Sequence, residues 1–348
     1  MEKQKVIISE NIHKTLESSI DECAHDKLFV LADENTACMC LPLVKGLKCL
    51  EKAHYIIIKP SDTNKNLDTL AFVWSKLGQM GATRHSLMIN IGGGMVTDLG
   101  GFAASTFKRG IAYINIPTTL LAMTDASVGG KTGINFNGLK NEIGVFNNAQ
   151  SVIIDTVFLK TINRENMLSG YAEMLKHGLI YSSRMWAEIM NFDIENPNLD
   201  ELRRMVAESV AVKKRIVEQD PHEKGIRKAL NFGHTVGHAF ESFAMTRQPI
   251  LHGYAVAYGM IAELYLCVTK AKFPTDKMYQ TVDFIHSHYG RMNITCDDYQ
   301  LLYEFMTHDK KNISDKINFT LLGDTGDIRI NQTADKEDIL NALDFYAF

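Results

Sequence analysis

The chain lacks any strong excess of charge: 37 lysines and arginines stand against 41 aspartates and glutamates, a formal net charge of −4 over 348 residues. A general nucleic-acid binder carries a basic surplus, so that class is excluded. Long hydrophobic runs are missing too. No stretch free of Asp, Glu, Lys and Arg is longer than Gly110–Thr124, and Pro117 interrupts that one. A spanning helix needs about 20 apolar residues, so none is expected. After Met-Glu-Lys-Gln-Lys only three apolar residues follow, too few for a secretory h-region. Cysteine is sparse. Its six positions (Cys23, Cys38, Cys40, Cys49, Cys267, Cys296) form no CxxC pair and read as the reduced thiols of a cytoplasmic protein. Internal repeats and low-complexity segments are absent. What is present, 45% hydrophobic and 22% charged residues, is ordinary globular composition at a length that suits two domains.

Short runs rich in Ile and Val read as buried strands at Val6–Ser9, Leu28–Ala32, Tyr55–Ile58, Leu87–Ile91, Ala112–Ile116 and Val152–Asp155. Segments with helical spacing, such as Leu67, Leu70, Phe72, Val73 and Leu77, lie between them. This alternation predicts a Rossmann-like α/β domain with a mostly parallel sheet. From Arg164 to Ser287 the pattern becomes helical. Ile317–Leu321 suggests a late strand or hairpin, and Lys336–Phe345 a closing helix. The expected architecture is therefore an α/β domain over residues 1–162 and a mostly α-helical domain over 163–348, with the active site in the cleft between them.

Leu87 to Asp98 runs from a strand into Gly92, Gly93 and Gly94 and then a helix start. Glycine lets backbone approach a ligand closely, and free N–H groups at a helix start can hold a pyrophosphate. This is not the GxGxxG fingerprint. Asp98 reads either as a helix cap or as a polar ligand contact. Ile116-Pro117-Thr118-Thr119 places two hydroxyls at the next strand's carboxyl edge, where open α/β sheets bind ligands. Thr124 to Gly133 is glycine-rich and contains Lys131, without Walker A spacing.

In the second half, Glu173, His234 and His252 are of the types that catalytic zinc uses, three ligands leaving one position open. His234 and His238 stand at i and i+4 on one helix face. Gly233, Gly237 and Gly253 flank these histidines and are costly inside helices unless something needs close approach. Arg109, Lys131, Lys140, Lys176, Lys213, Arg227, Lys310 and Lys311 cluster near the motifs. On a net acidic chain, that points to an anionic substrate carrying phosphate and carboxylate.

Taken in order, Gly92–Asp98, Pro117–Thr119, Asp125–Lys131, Lys140-Asn141, Ala172–Lys176, Asn231–His238, Leu251–Gly253 and Asp309–Lys311 resemble the 3-dehydroquinate synthase family, the resemblance covering nearly the whole chain. It implies an enzyme that binds NAD and one divalent metal, zinc or cobalt. That enzyme converts 3-deoxy-D-arabino-heptulosonate 7-phosphate into 3-dehydroquinate and phosphate by transient oxidation, elimination, re-reduction and aldol closure. By that analogy Glu173, His234 and His252 bind metal. NAD would meet Asp33, Asp62, Lys65, Gly93, Gly94, Met95, Val96, Thr97, Asp98, Thr118, Thr119, Lys131, Lys140, Phe158, Leu159, Lys160 and Thr161. Substrate would meet Asp125, Lys131, Asn141, Lys176, Lys213, Arg227, Asn231, His238, Lys310 and Lys311, with Arg109 reaching across a homodimer interface. His238 is the candidate proton shuttle. Where the family often reads Pro-Gly-Glu, this chain has Pro60-Ser61-Asp62. The rival readings are another sugar-phosphate cyclase, or an iron- or zinc-dependent alcohol or glycerol-phosphate dehydrogenase using His177 at i+4 from Glu173.

Overall fold

The Ile- and Val-rich runs form one parallel sheet: β1 (Lys5–Ile8), β2 (Leu28–Asp33), β3 (His54–Ile58), β4 (Leu87–Gly92), β5 (Ala112–Pro117) and, after a hairpin, β8 (Ser151–Ile154). The computed structural model describes residues 4–307 and 317–348. The sheet order is β1-β8-β5-β4-β2-β3. Every residue of β2, β4 and β8 is buried, as expected where helices cover both faces. From β2 the chain steps outward to β3, then returns to the other side as β4. The crevice between the carboxyl ends of β2 and β4 is therefore the point where the winding reverses, the favoured ligand position in such sheets.

The crossovers carry α1 (Ile12–Asp21), α2 (Glu34–Met39), α3 (Leu67–Gln79) and α4 (Gly94–Thr106). Side chains cap the first three: Asn11 accepts from the Lys14 amide, Asp33 from Thr36 and Asn66 from Thr69. The start of α4, at Gly93, has no side-chain cap. The glycine-rich segment enters an antiparallel hairpin, β6 (Lys131–Phe136) and β7 (Leu139–Phe146), which the strand pattern of the sequence does not announce.

The chain clusters into two units, Met1–Asn163 with Asn198–Val210, and Arg164–Pro197 with Ala211–Phe348. Helices dominate the rest of the chain: α5 (Arg164–Tyr181), α6 (Ser183–Asn191), α7 (Leu199–Gln219), α8 (His234–Met245), α9 (His252–Leu266), α10 (Thr275–Tyr289), α11 (Tyr299–Thr307) and α12 (Lys336–Ala347). One hairpin, β9 (Ile317–Asp324) with β10 (Asp327–Ala334), fills the place of the expected late strand. A helix apolar on all sides belongs in a core, and α9 is buried along nearly its whole length. Its close approach to α5 and α8 rests on glycine. A Cβ at Gly253 would stand 1.9 Å from the Ser169 carbonyl oxygen of α5, and one at Gly259 would stand 2.1 Å from that of Gly233. No helix among the described residues is long and apolar enough to cross a membrane.

Candidate active site

In the first unit the expected cofactor residues gather at the carboxyl edge of the sheet. Asp33 ends β2, Asp62 and Lys65 follow β3, Gly93–Asp98 follow β4, Thr118 and Thr119 follow β5, and Phe158–Thr161 follow β8. The uncapped start of α4 leaves its leading amides directed away from the helix, a geometry that suits an anion. Space above the turn is set by the neighbouring loop. A Cβ at Gly93 would meet Thr119 at 3.1 Å, and one at Gly94 would meet Ala126 at 3.2 Å. Val96, Thr97, Phe158 and Leu159 are buried, so their side chains serve the core and only backbone is offered. Asp33 is partly committed, one oxygen accepting from the Thr36 amide at 2.8 Å.

Asp98 does not cap α4; it lies on the second turn and faces Lys65. The buried Lys65 ammonium donates to Asp98 at 3.2 Å and Asn141 at 2.7 Å, and lies 3.3 Å from Asp62. Burial alone would lower the Lys65 pKa, but Asp98 and Asp62 outweigh it and the net shift is upward. Burial pushes the Asp98 carboxyl up to about 6, against the opposing pull of Lys65. Partial burial would raise Asp62 as well, yet Lys65 and Lys140 hold its pKa below the ordinary aspartate value. Lys140 lies 3.7 Å from Asp62. Lys131 and Lys140 are exposed on the β6–β7 hairpin, Arg109 is exposed just before β5, and Asp125 is half-buried in the turn after β5.

The second unit brings the three expected metal ligands together. Glu173 from α5, His234 from the start of α8 and His252 from the start of α9 have ligand atoms within 4.8 Å of one another. Glu173 is fully buried, and its Oε1 has no hydrogen-bond partner. That oxygen lies 3.5 Å from His234 Nε2 and 3.7 Å from His252 Nε2. Tetrahedral ligands about 2.1 Å from one ion stand about 3.4 Å apart, so this set fits a zinc-like cation. The outer contacts agree. His234 Nδ1 faces the Phe232 carbonyl oxygen at 3.0 Å, leaving Nε2 as the ligand atom, and His252 Nδ1 lies 3.4 Å from Glu241. Lys176, one turn along α5, pairs with the other Glu173 oxygen. The His238 ring meets those of His234 and His252 at centroid distances of 5.4 and 6.0 Å.

Cations expected to meet the substrate are buried in the same unit: Lys176, Lys213 and Arg227. Burying ammonium and guanidinium groups is costly without compensating partners, and Glu173 supplies one for Lys176. Arg227 also donates to the Pro221 carbonyl at 2.7 Å, and Asn231 donates to Glu223 at 2.7 Å. Lys310 and Lys311 lie outside the described residues.

Sequence reasoning misses three residues. Asn135 donates to the Asp62 carboxylate at 3.1 Å and accepts from the Asn141 amide at 3.0 Å, knitting the Lys65 cluster together. Glu241 backs His252, and Glu263 accepts from backbone amides around His234. Glu263 does carry a signal: it is the single Asp, Glu, Lys or Arg of α9. Asn135 and Glu241 carry none, because their importance comes from partners distant in sequence.

Two family models match the chain, one described as 3-dehydroquinate synthase N-terminal over residues 55–169 and one as 3-dehydroquinate synthase C-terminal over residues 170–312. The chain is 54% identical over 347 residues to a 3-dehydroquinate synthase of Parabacteroides distasonis, a match covering 99% of this chain and 98% of that one. Among solved structures, 2-deoxy-scyllo-inosose synthase complexed with carbaglucose-6-phosphate, NAD+ and Co2+ gives a TM-score of 0.86 at 22% identity, covering 97% of this chain and 95% of that one. The 2-epi-5-epi-valiolone synthase of Streptomyces hygroscopicus, with NAD+ and Zn2+ bound, gives 0.84 at 22% identity, covering 100% of this chain and 97% of that one. At that identity these structures speak to the fold.

Proposed function

The chain belongs to the 3-dehydroquinate synthase family, and from that premise we propose how its own residues divide the work. The reaction is the family's: 3-deoxy-D-arabino-heptulosonate 7-phosphate becomes 3-dehydroquinate and phosphate, a carbon–oxygen lyase chemistry. One observation carries the residue assignment. Glu173 presents a buried, unpartnered carboxylate oxygen to two imidazole nitrogens, an arrangement that a divalent cation satisfies. When bound, NAD supplies a hydride acceptor that is regenerated within the turnover, and zinc or cobalt supplies a Lewis acid for the substrate's vicinal oxygens.

The α4 amides after Gly93, with Thr118 and Thr119, take the cofactor's pyrophosphate, while Asp33 and Asp62 receive ribose hydroxyls. Lys65, Lys131, Lys140 and the Phe158–Thr161 segment complete that set. Lys176, Lys213 and Arg227 neutralise the substrate's phosphate and carboxylate, joined by the Lys310–Lys311 pair. Asp125, Asn141 and Asn231 orient its hydroxyls. His238 takes the alcohol proton, since its ring already abuts both ligating rings. The substrate's own phosphate assists removal of the carbon-bound proton, so the protein contributes mainly orientation and oriented charge.

A homodimer completes the proposal. Leu139, Ile143, Val145 and Phe146 of β7 are exposed apolar residues. A cavity of about 430 Å³ beside them includes Arg109, Tyr113 and Asn147 in its lining. A second copy covering this hairpin would place Arg109 toward its neighbour's substrate phosphate. The enzyme would work in the cytoplasm.

The test is incubation with the heptulosonate phosphate, NAD and zinc, following phosphate release, NADH absorbance and product mass. The expected result is one phosphate per substrate, the mass of 3-dehydroquinate, and no accumulated NADH. In His252→Ala, turnover and metal binding fall by more than about a hundredfold, beyond the range of outer contacts. NADH accumulating without phosphate would instead indicate the dehydrogenase reading. Normal turnover in His252→Ala would overturn the metal assignment.

A further inference from the structure

We propose that Glu263 is a positioning residue for the metal ligand His234, clamping the first turn of α8 and supplying the negative charge that a cation needs at a helix start. The proposal rests on the metal reading of Glu173, His234 and His252. Glu263 is fully buried, three turns along α9 from His252. Its Oε2 accepts from the Gly233 amide at 2.7 Å, and its Oε1 from the amides of Thr235 at 3.0 Å and Val236 at 3.1 Å. Those three amides bracket His234. Gly233 holds φ at +78°, so the chain turns sharply into the helix there and needs an external hold.

Two physical effects follow. The His234 ring is aimed by its contact to the Phe232 carbonyl, and that carbonyl belongs to the backbone that Glu263 fixes. Helix starts also carry about half a positive charge, which opposes a divalent ion held by the first helical residue. A buried carboxylate accepting three amides at that end offsets the opposition. Glutamine cannot replace it, because its amide nitrogen would face an N–H on one side.

The experiment is Co2+ titration of the full-length wild type, Glu263→Gln and Glu173→Gln, read by the cobalt d–d absorption bands, with circular dichroism of each metal-free protein. Glu263→Gln is expected to bind Co2+ roughly ten- to a hundredfold more weakly, with shifted bands. Glu173→Gln is expected to lose the bands. A folded Glu263→Gln that binds Co2+ with wild-type affinity and an unchanged spectrum overturns the proposal while leaving the metal reading intact. Wild-type binding by Glu173→Gln sinks the metal reading itself, and this proposal with it. If Glu263→Gln does not fold, Glu263→Asp, which keeps the charge but shortens the reach, serves in its place. Weaker binding with shifted bands supports the positioning role, and wild-type behaviour refutes it.

Discussion

Ser61 holds φ at +88° and ψ at 142°, a region that side-chain-bearing residues avoid and glycine tolerates. It is exposed, and its hydroxyl contacts the neighbouring Thr63 in the short turn that leads to Asp62 and Lys65. Ser61→Gly is therefore expected to stabilise the protein by about 1 kcal/mol, read as a rise in Tm, with NAD affinity retained. The departure from Pro-Gly-Glu is thus a strained turn as well as a shorter carboxylate. Asp98 is the second residue with a measurable consequence. Lys65, Asp62 and Asp125 face it, and burial raises its pKa to about 6. The folded protein keeps this proton to higher pH than the unfolded chain, where aspartate titrates near 3.9. Its contribution to stability is thus fullest below about pH 4 and is lost as pH rises through about 6. Asp98→Asn removes that loss. Its stability relative to wild type should climb by about 3 kcal/mol between those pH values in calorimetry, and stay level on either side.

At the scale of elements, the proposed metal site is made by a helix packing that only glycine allows. The α8 and α9 helices cross with Gly233, Gly237 and Gly259 at the contact, and a Cβ at Gly259 would lie 2.1 Å from the Gly233 carbonyl oxygen and 2.5 Å from the Gly237 nitrogen. Gly259→Ala must push the helices apart. The expected cost is about 3 kcal/mol or more, and Co2+ binding should weaken alongside the fall in Tm, because His234 and His252 open these same two helices. A variant with wild-type Tm and metal affinity would contradict this packing argument. The absent cap on α4 is the matching feature of the first unit. Helices α1 to α3 each have a side chain capping one leading amide, whereas α4 has none, which leaves its start open to the anion proposed there.

For the whole molecule, the prediction concerns association. The β6–β7 hairpin presents an apolar strand to solvent, an aggregation liability unless another surface covers it. Phe146→Asp should convert a dimer to monomer in analytical ultracentrifugation and lower phosphate release by about tenfold or more, through loss of Arg109 from the neighbouring site. A wild type that sediments as a monomer would remove the dimer from the proposal.

The sheet, its parallel sense and the switch to helices after residue 160 are legible in the residues alone, because buried strands and amphipathic helices write their periods locally. Glu173, His234 and His252 are legible as chemistry, since few residue types bind a divalent ion and glycines mark the close approach. Tertiary structure alone decided that these three side chains meet, that Asp98 pairs with Lys65 instead of capping α4, and that the glycine-rich segment after Thr124 leads into a hairpin. It also set Glu241 beside His252 and Glu263 around His234 in one unit, and Asn135 beside Asp62 in the other. Burial, charge compensation and hydrogen bonding between residues far apart in the chain leave no periodic trace, so they appear only once the helices and strands have packed.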